Sequence, residues 1–373
     1  MIYFDNAATT GKKPLCVINA INYAIKNLSA NPGRSGHNLS QKAAFKIYNA
    51  RKNIAEYFDA TGPECVCFTS NCTSAINFVL KGILKTDDHV IISDLEHNAV
   101  LRPIHKMGIN CDIANVSFID DYETVESFKK LIKNNTKMIF CTAASNVTGK
   151  VLPLEKIGKL CKENGILFGV DAAQLAGILP ISMKTYNIDY LCIAPHKGFY
   201  SPMGLGVLIA EKPIDTTIIE GGTGTNSLDY NQPDSYPEML ESGTLNLPAI
   251  IAADAGLNFV KSKAEIIYNH EIKLMQLLYN FLAKKNNIKL YTPYPTKNMY
   301  APVLSFNVLG KTSEDISTIL NKCNVAVRSG IHCAPLAHKK IGTTEIGTVR
   351  VSPSIFNTDS EIFSLINILK KIK

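Results

Sequence analysis

No two cysteines in this sequence are spaced as CxxC, although the chain holds ten. Structural zinc sites and redox pairs usually use that spacing, so neither is expected. GxGxxG and GxxxxGK[ST] are both missing, which argues against a nucleotide-binding enzyme. No apolar run approaches membrane-spanning length. The opening MIYFDNAATT lacks the charged-then-apolar order of a secretory leader. No basic block exceeds the terminal KKIK, and the net charge of +7 is spread along the chain. Nucleic-acid binders usually gather their basic residues on one face, so neither nucleic acid nor membrane is expected as a partner. These absences point to the cytoplasm, where thiols stay reduced and most serve as small buried hydrophobes. Repeats, low-complexity tracts and long linkers are missing as well.

What is present describes a globular protein with an ample core, since 46% of residues are hydrophobic and only 19% charged. At 373 residues the chain exceeds the size at which one core keeps growing, so two units are expected. An extended arm over 1–14 precedes helices at 15–28 and 38–58. Strands are then predicted at 65–69, 90–93, 113–118, 137–142, 166–170, 190–194 and 207–210, with helices at 74–81, 98–107, 125–133 and 154–164 between them. Apolar strands alternating with helices predict an α/β domain with a mostly parallel sheet. One or two long helices follow over 247–284. Strands at 303–308, 325–327 and 349–351 and helices at 313–320 and 359–372 form a smaller α+β unit. The boundaries expected are an arm over 1–14, a large domain over 15–246 and a small domain over 247–373.

Ligands of such sheets sit at the carboxyl ends of the strands. There the sequence places Cys72, Thr73 and Ser74 at a helix start suited to a phosphate, although an ordinary N-cap explains them too. His97 could stack on a flat ring or simply lie on the surface. Asn146 precedes a Gly turn. Asp171 closes a buried apolar strand, which costs free energy unless the carboxylate finds a partner such as a protonated ring nitrogen. Lys197 follows another buried strand, between His196 and Gly198. A desolvated lysine is a usable amine nucleophile toward carbonyl compounds. Alone, each residue has a bland reading; joined at one sheet edge they form a phosphate cup, a ring stacker, a carboxylate and a reactive amine.

These residues resemble a known family. Asp171-Ala172-Ala173-Gln174 followed by Pro195-His196-Lys197 is similar to the class V aminotransferases, which are pyridoxal-phosphate enzymes of fold type I. Asn6-Ala7-Ala8, Asn31 to Arg34, Glu96-His97, Ser145 to Gly149 and Glu241 to Thr244 fit the same family over nearly the whole chain. Val327 to Ala334, reading VRSGIHCA, resembles the catalytic-cysteine loop of group II cysteine desulfurases. The resemblance implies a seven-stranded sheet, pyridoxal 5'-phosphate as cofactor, and conversion of L-cysteine to L-alanine with the sulfur passing to Cys333. A selenocysteine lyase, or a class V aminotransferase or lyase for another amino acid, is the alternative.

The same resemblance implies the roles of individual residues. Lys197 would anchor the cofactor and act as the base. Asp171 would face the ring nitrogen, Gln174 and Asn146 the ring oxygen, and His97 the ring face. Cys72, Thr73 and His196 would hold the phosphate, and Thr244 would reach the phosphate of a partner subunit in a homodimer with shared active sites. Arg350 would bind the substrate carboxylate, with Arg34, Asn146 and Arg328 nearby; Arg328 and His332 would lower the pKa of Cys333. A sulfur-acceptor protein is a further expected partner. Two departures stand out: Ala194-Pro195 replace a phosphate-binding hydroxyl, and Cys72 replaces a frequent Thr. The first shifts phosphate binding toward His196 and Thr244. Cys323, in a helical or turn context, is expected to be the buried thiol of the C-terminal pair.

Overall fold

The computed structural model describes residues 1–33 and 35–372. Strand β1 (Ile2–Tyr3) belongs to the N-terminal arm. The apolar runs of the middle of the chain become β2 (Val66–Thr69), β3 (His89–Ser93), β4 (Asn110–Ala114), β5 (Thr136–Thr142), β6 (Leu167–Asp171), β7 (Tyr190–Ile193) and β8 (Gly206–Ala210). They form one seven-stranded sheet in the order β2-β8-β7-β6-β5-β3-β4. Only β8 runs antiparallel to its neighbours. Successive side chains alternate between two cores. Val90, Ile92, Met138 and Phe140 pack on one face, Ile91, Ile139 and Val170 on the other. Both faces are covered, which is why these strands read as continuous apolar runs.

The helices Asn38–Phe58, Asn98–Met107 and Leu154–Asn164 lie where periodicity places them. The last two end on Gly108 and Gly165 in the left-handed conformation. β4 lies earlier than the apolar run 113–118. Its parallel register with β3, His89 opposite Asn110, sets the start, and as an edge strand it leaves Ile113 exposed. The helix that follows is likewise early, Asp121–Lys130, because the Asp120 side chain caps Tyr122 N.

The long helical stretch divides into Leu247–Lys261 and Ala264–Leu282. The helices Leu15–Asn27 and Asn38–Phe58 pack on the first of these. Beyond it, β9 (Ile288–Leu290), β10 (Leu304–Val308) and β12 (Val349–Val351) form an antiparallel sheet in the order β12-β10-β9. Between them, β11 (Val325–Ala326) pairs in parallel with β1. Helices Ser313–Lys322 and Asp359–Leu369 close this unit, each begun by a capping box, Thr312 with Asp315 and Thr358 with Glu361. Phe4 of the arm is fully buried in its core beside Phe306 and Val351. Cys323 does not enter that core: it caps the helix Ser313–Lys322 and is exposed.

The buried pair Arg51–Glu241 ties the second helix to the segment after β8, with 2.5 Å between Nη2 and Oε2. Glu241 also accepts from Phe68 N of β2. Glu241→Ala leaves Arg51 buried and uncompensated, so it is expected to cost about 3–5 kcal/mol. Denaturant unfolding of the two proteins side by side measures this.

Candidate active site

The carboxyl ends of β2, β3, β5, β6 and β7 open onto one cavity of about 220 Å³. Cys72, Thr73, His97, Asn146, Asp171, Gln174, His196, Lys197, Arg328 and Arg350 all line it. Parallel pairing brings the ends of β3, β5, β6 and β7 to the same edge, so residues 125 positions apart meet in space.

Each side chain is positioned by its own turn. Lys197 sits in the tight turn after β7, where its N–H bonds Ala194 O. The next residue has to be glycine, because a Cβ at Gly198 would lie 1.8 Å from Ala176 O. Burial, offset by Asp171 and reinforced by Arg350, lowers the Lys197 amine to about 8. Asp171 ends β6 and is 4% exposed; its Oδ1 accepts from Ala173 N at 2.9 Å. His97 caps the helix Asn98–Met107 through Nδ1, which accepts from Ala99 N at 3.0 Å. That bond keeps Nδ1 unprotonated, and burial pushes the ring's pKa down. Under it, Glu96 is wholly buried, accepts from Ser93 Oγ and Thr142 N, and is pushed up to about 8 by that burial.

His196 has its carbonyl held by the hydroxyls of Thr9 and Thr10. Burial, with Lys197 and Lys13 adding to it, brings its imidazole down to about 4, so it is neutral at neutral pH. Gln174 Nε2 donates to Ala7 O at 3.0 Å, and Asn146 Nδ2 to His332 O at 2.6 Å. Arg350 is 1% exposed, paired with Asp5 at 2.8 Å and bonded to Asn146 O.

Cys333 does not line the cavity but is exposed next to it, following His332, which does. Its carbonyl accepts from Asn98 N at 2.7 Å, which ties the loop to the helix behind His97. His332 carries no charge to lend this thiol. It is 3% exposed, its Nε2 donates to Thr348 O, and burial lowers it to about 2. The charge expected from His332 beside Cys333 is therefore missing. Residues 335–341 form the helix Pro335–Ile341, ended by Gly342.

Thr244 is exposed and away from this cavity. Asn31, Gly33, Thr223, Gly243 and Leu245 line a separate cleft of about 440 Å³ around Arg51 and Glu241, which shares no residue with the first. Arg34 lies outside the described residues. Sequence reading missed Asp5, which neutralises Arg350, and Thr142, which sits at the end of β5 opposite Asp171. The single acid of the arm was the available signal for Asp5.

The profile of the family described as Aminotransferase class-V matches residues 2–365. The chain belongs to this family. It is 30% identical to a protein of Synechocystis named "Probable cysteine desulfurase", over 97% of this chain and 88% of that one. A protein of the same name from Methanothermobacter thermautotrophicus is 30% identical over 100% of this chain and 94% of its own. The apo structure of a cysteine desulfurase from Thermococcus onnurineus superposes with a TM-score of 0.88 at 30% identity, covering 99% of this chain and 94% of that one. Class V enzymes depend on pyridoxal phosphate, and the fold is that of fold type I. The cavity fits that group. His196 Nδ1 and Arg350 Nε are buried polar atoms without a partner among the described residues, and both residues line it. The helix Cys72–Ile83 starts at the same wall, and the N–H groups of a first turn have no intrahelical acceptor.

Proposed function

We propose that this chain is a cysteine desulfurase that converts L-cysteine to L-alanine and takes the sulfur onto Cys333. The observation that carries this reading is the joint presence, at one site, of a buried amine, a facing carboxylate and an exposed cysteine on the adjoining loop. Release of alanine and of sulfide or selenide from cysteine and selenocysteine, with and without a reductant, tests it. Alanine formation from cysteine supports it; activity confined to selenocysteine, or to transfer of an amino group, replaces it with a selenocysteine lyase or an aminotransferase.

Pyridoxal phosphate, when bound, supplies an aldehyde that condenses with amines and a ring that takes up the electrons of a broken Cα–H bond. Lys197 would anchor it and, once displaced by substrate, hold the α-proton on Nζ. Asp171 would keep the ring nitrogen protonated, and Gln174 and Asn146 would contact the ring oxygen. His97 would cover the ring face. Thr73, His196 and the helix start at Cys72 would hold the phosphate, with neutral His196 serving as a hydrogen-bonding group and not as a cation. Arg350 and Arg328 would orient the substrate carboxylate. Cys333 Sγ would then take the substrate sulfur as a persulfide and release alanine. A sulfur acceptor would approach from the exposed side of that loop.

We further propose a homodimer with shared active sites. Thr244 and the cleft around Arg51 lie apart from the cavity of their own chain, so only a second copy could bring Thr244 to a cofactor. Leu15, Ile25, Phe45 and Tyr48 leave apolar surface exposed on the helices next to that cleft, as an interface would. The chain would divide into the arm (1–14), a cofactor-binding domain (15–246) and a small domain carrying the cysteine loop (247–373). The arm contacts both units: Phe4 in the small core, Ala7 N on Ser352 Oγ, and Ala7 O on Gln174.

An amine must be neutral to attack an aldehyde. With Lys197 at about 8, its neutral fraction rises about tenfold per pH unit below that value and levels off above it. Uptake of pyridoxal phosphate by the apoprotein, followed by absorbance, is expected to accelerate in that way. A rate that does not change between about pH 6 and pH 8 counts against the lowered pKa.

A further inference from the structure

Cys72 opens the helix at the cavity wall, and its Sγ–H donates to Oδ1 of Asp171 at 3.7 Å. The same oxygen accepts from Ala173 N at 2.9 Å. Oδ2 of Asp171 has no hydrogen-bond partner among the described residues and is not among the occluded polar atoms. No lysine or arginine forms an ion pair with this carboxylate among the described residues. Asp171 is thus held by two donors on one oxygen, with the other left open to the cavity. Burial, with Asp171 adding to it, pushes the Cys72 thiol well above its ordinary range, so it remains a protonated donor.

The choice of sulfur matters. A thiol is a weak donor. It fixes the direction of Oδ1 through a bond weaker than a hydroxyl would make. A hydroxyl in its place would make a shorter, stronger bond to the same charge. It would stabilise the ionised carboxylate and weaken its hold on a proton shared with Oδ2.

We propose that Cys72 is a positioning residue for Asp171: its thiol holds Oδ1, so that Oδ2 stays open to the cavity, where it would meet the ring nitrogen of the bound cofactor. This rests on the function proposed above, and departs from a phosphate contact for the Cys72 side chain.

The test uses the cofactor-loaded protein and the variants Cys72→Ala and Cys72→Ser, with Cys72→Thr as a second hydroxyl. The readout is the pH midpoint of the bound cofactor's visible absorbance. Alanine removes a donor and raises the carboxylate's basicity, whereas serine and threonine strengthen the donor and lower it. The serine and threonine midpoints are therefore expected to move together by about half a pH unit or more, and the alanine midpoint by less and in the opposite direction. A residue that only fills space or touches phosphate would move none of them, or all in one direction. Either result overturns the proposal while leaving the desulfurase reading intact. A wild-type chain that takes up no pyridoxal phosphate overturns both.

Discussion

Cys333→Ser is expected to lower alanine formation from cysteine by at least about a thousandfold, while pyridoxal phosphate still binds. The serine oxygen is a poor nucleophile toward sulfur and cannot carry a persulfide. The substitution should leave the loop intact, because what holds it is backbone: Cys333 O on Asn98 N and Ala334 N on Ile331 O. The loop is also strained. His332 and Cys333 both have left-handed backbones, with φ of 50° and 58°, at a cost on the order of 1 kcal/mol each. Gly330, with φ of 96°, relieves the turn that leads into them. Strained non-glycine residues side by side next to a cavity fit a loop shaped to present a side chain. A Cys333→Ser protein that makes alanine at the full rate would falsify sulfur transfer through this residue.

Lys197→Ala should lose both the yellow colour of the loaded protein and its activity, the latter by about three orders of magnitude or more. Stability should behave differently. Lys197 forms no ion pair among the described residues, and burial disfavours its charge. Removing it relieves that penalty, so the thermal midpoint of the apo variant is expected at or above that of the unmodified apoprotein. Retention of the same absorbance in the variant would show that another group anchors the cofactor.

Much of the site was legible because its residues stand at the ends of apolar runs. Asp171 ends one continuous apolar strand and Lys197 follows another, both buried on both faces, and parallel strands deliver their ends to one edge. The rest depends on pairs distant in sequence. Asp5 acquires its role only because β1 docks on β11 and brings the arm beside Arg350. Cys72 reads locally as part of a phosphate cup, but its thiol lies on Asp171, 99 positions away. His332 looked like a cation, but nothing in its neighbours along the chain reveals the burial that keeps it neutral. The start of β4 was misplaced for the same reason, since an edge strand takes its register from the partner and not from its own apolar residues.

The sequence by itself therefore determined the class of fold, the family and the set of reactive groups. Periodicity, turn residues and residue chemistry are local properties, and they survive in a linear reading. Only the tertiary structure decided which groups are charged, which oxygen of Asp171 is open, and that Thr244 stands apart from the cavity of its own chain. Those depend on desolvation and on contacts across hundreds of residues, which packing alone creates.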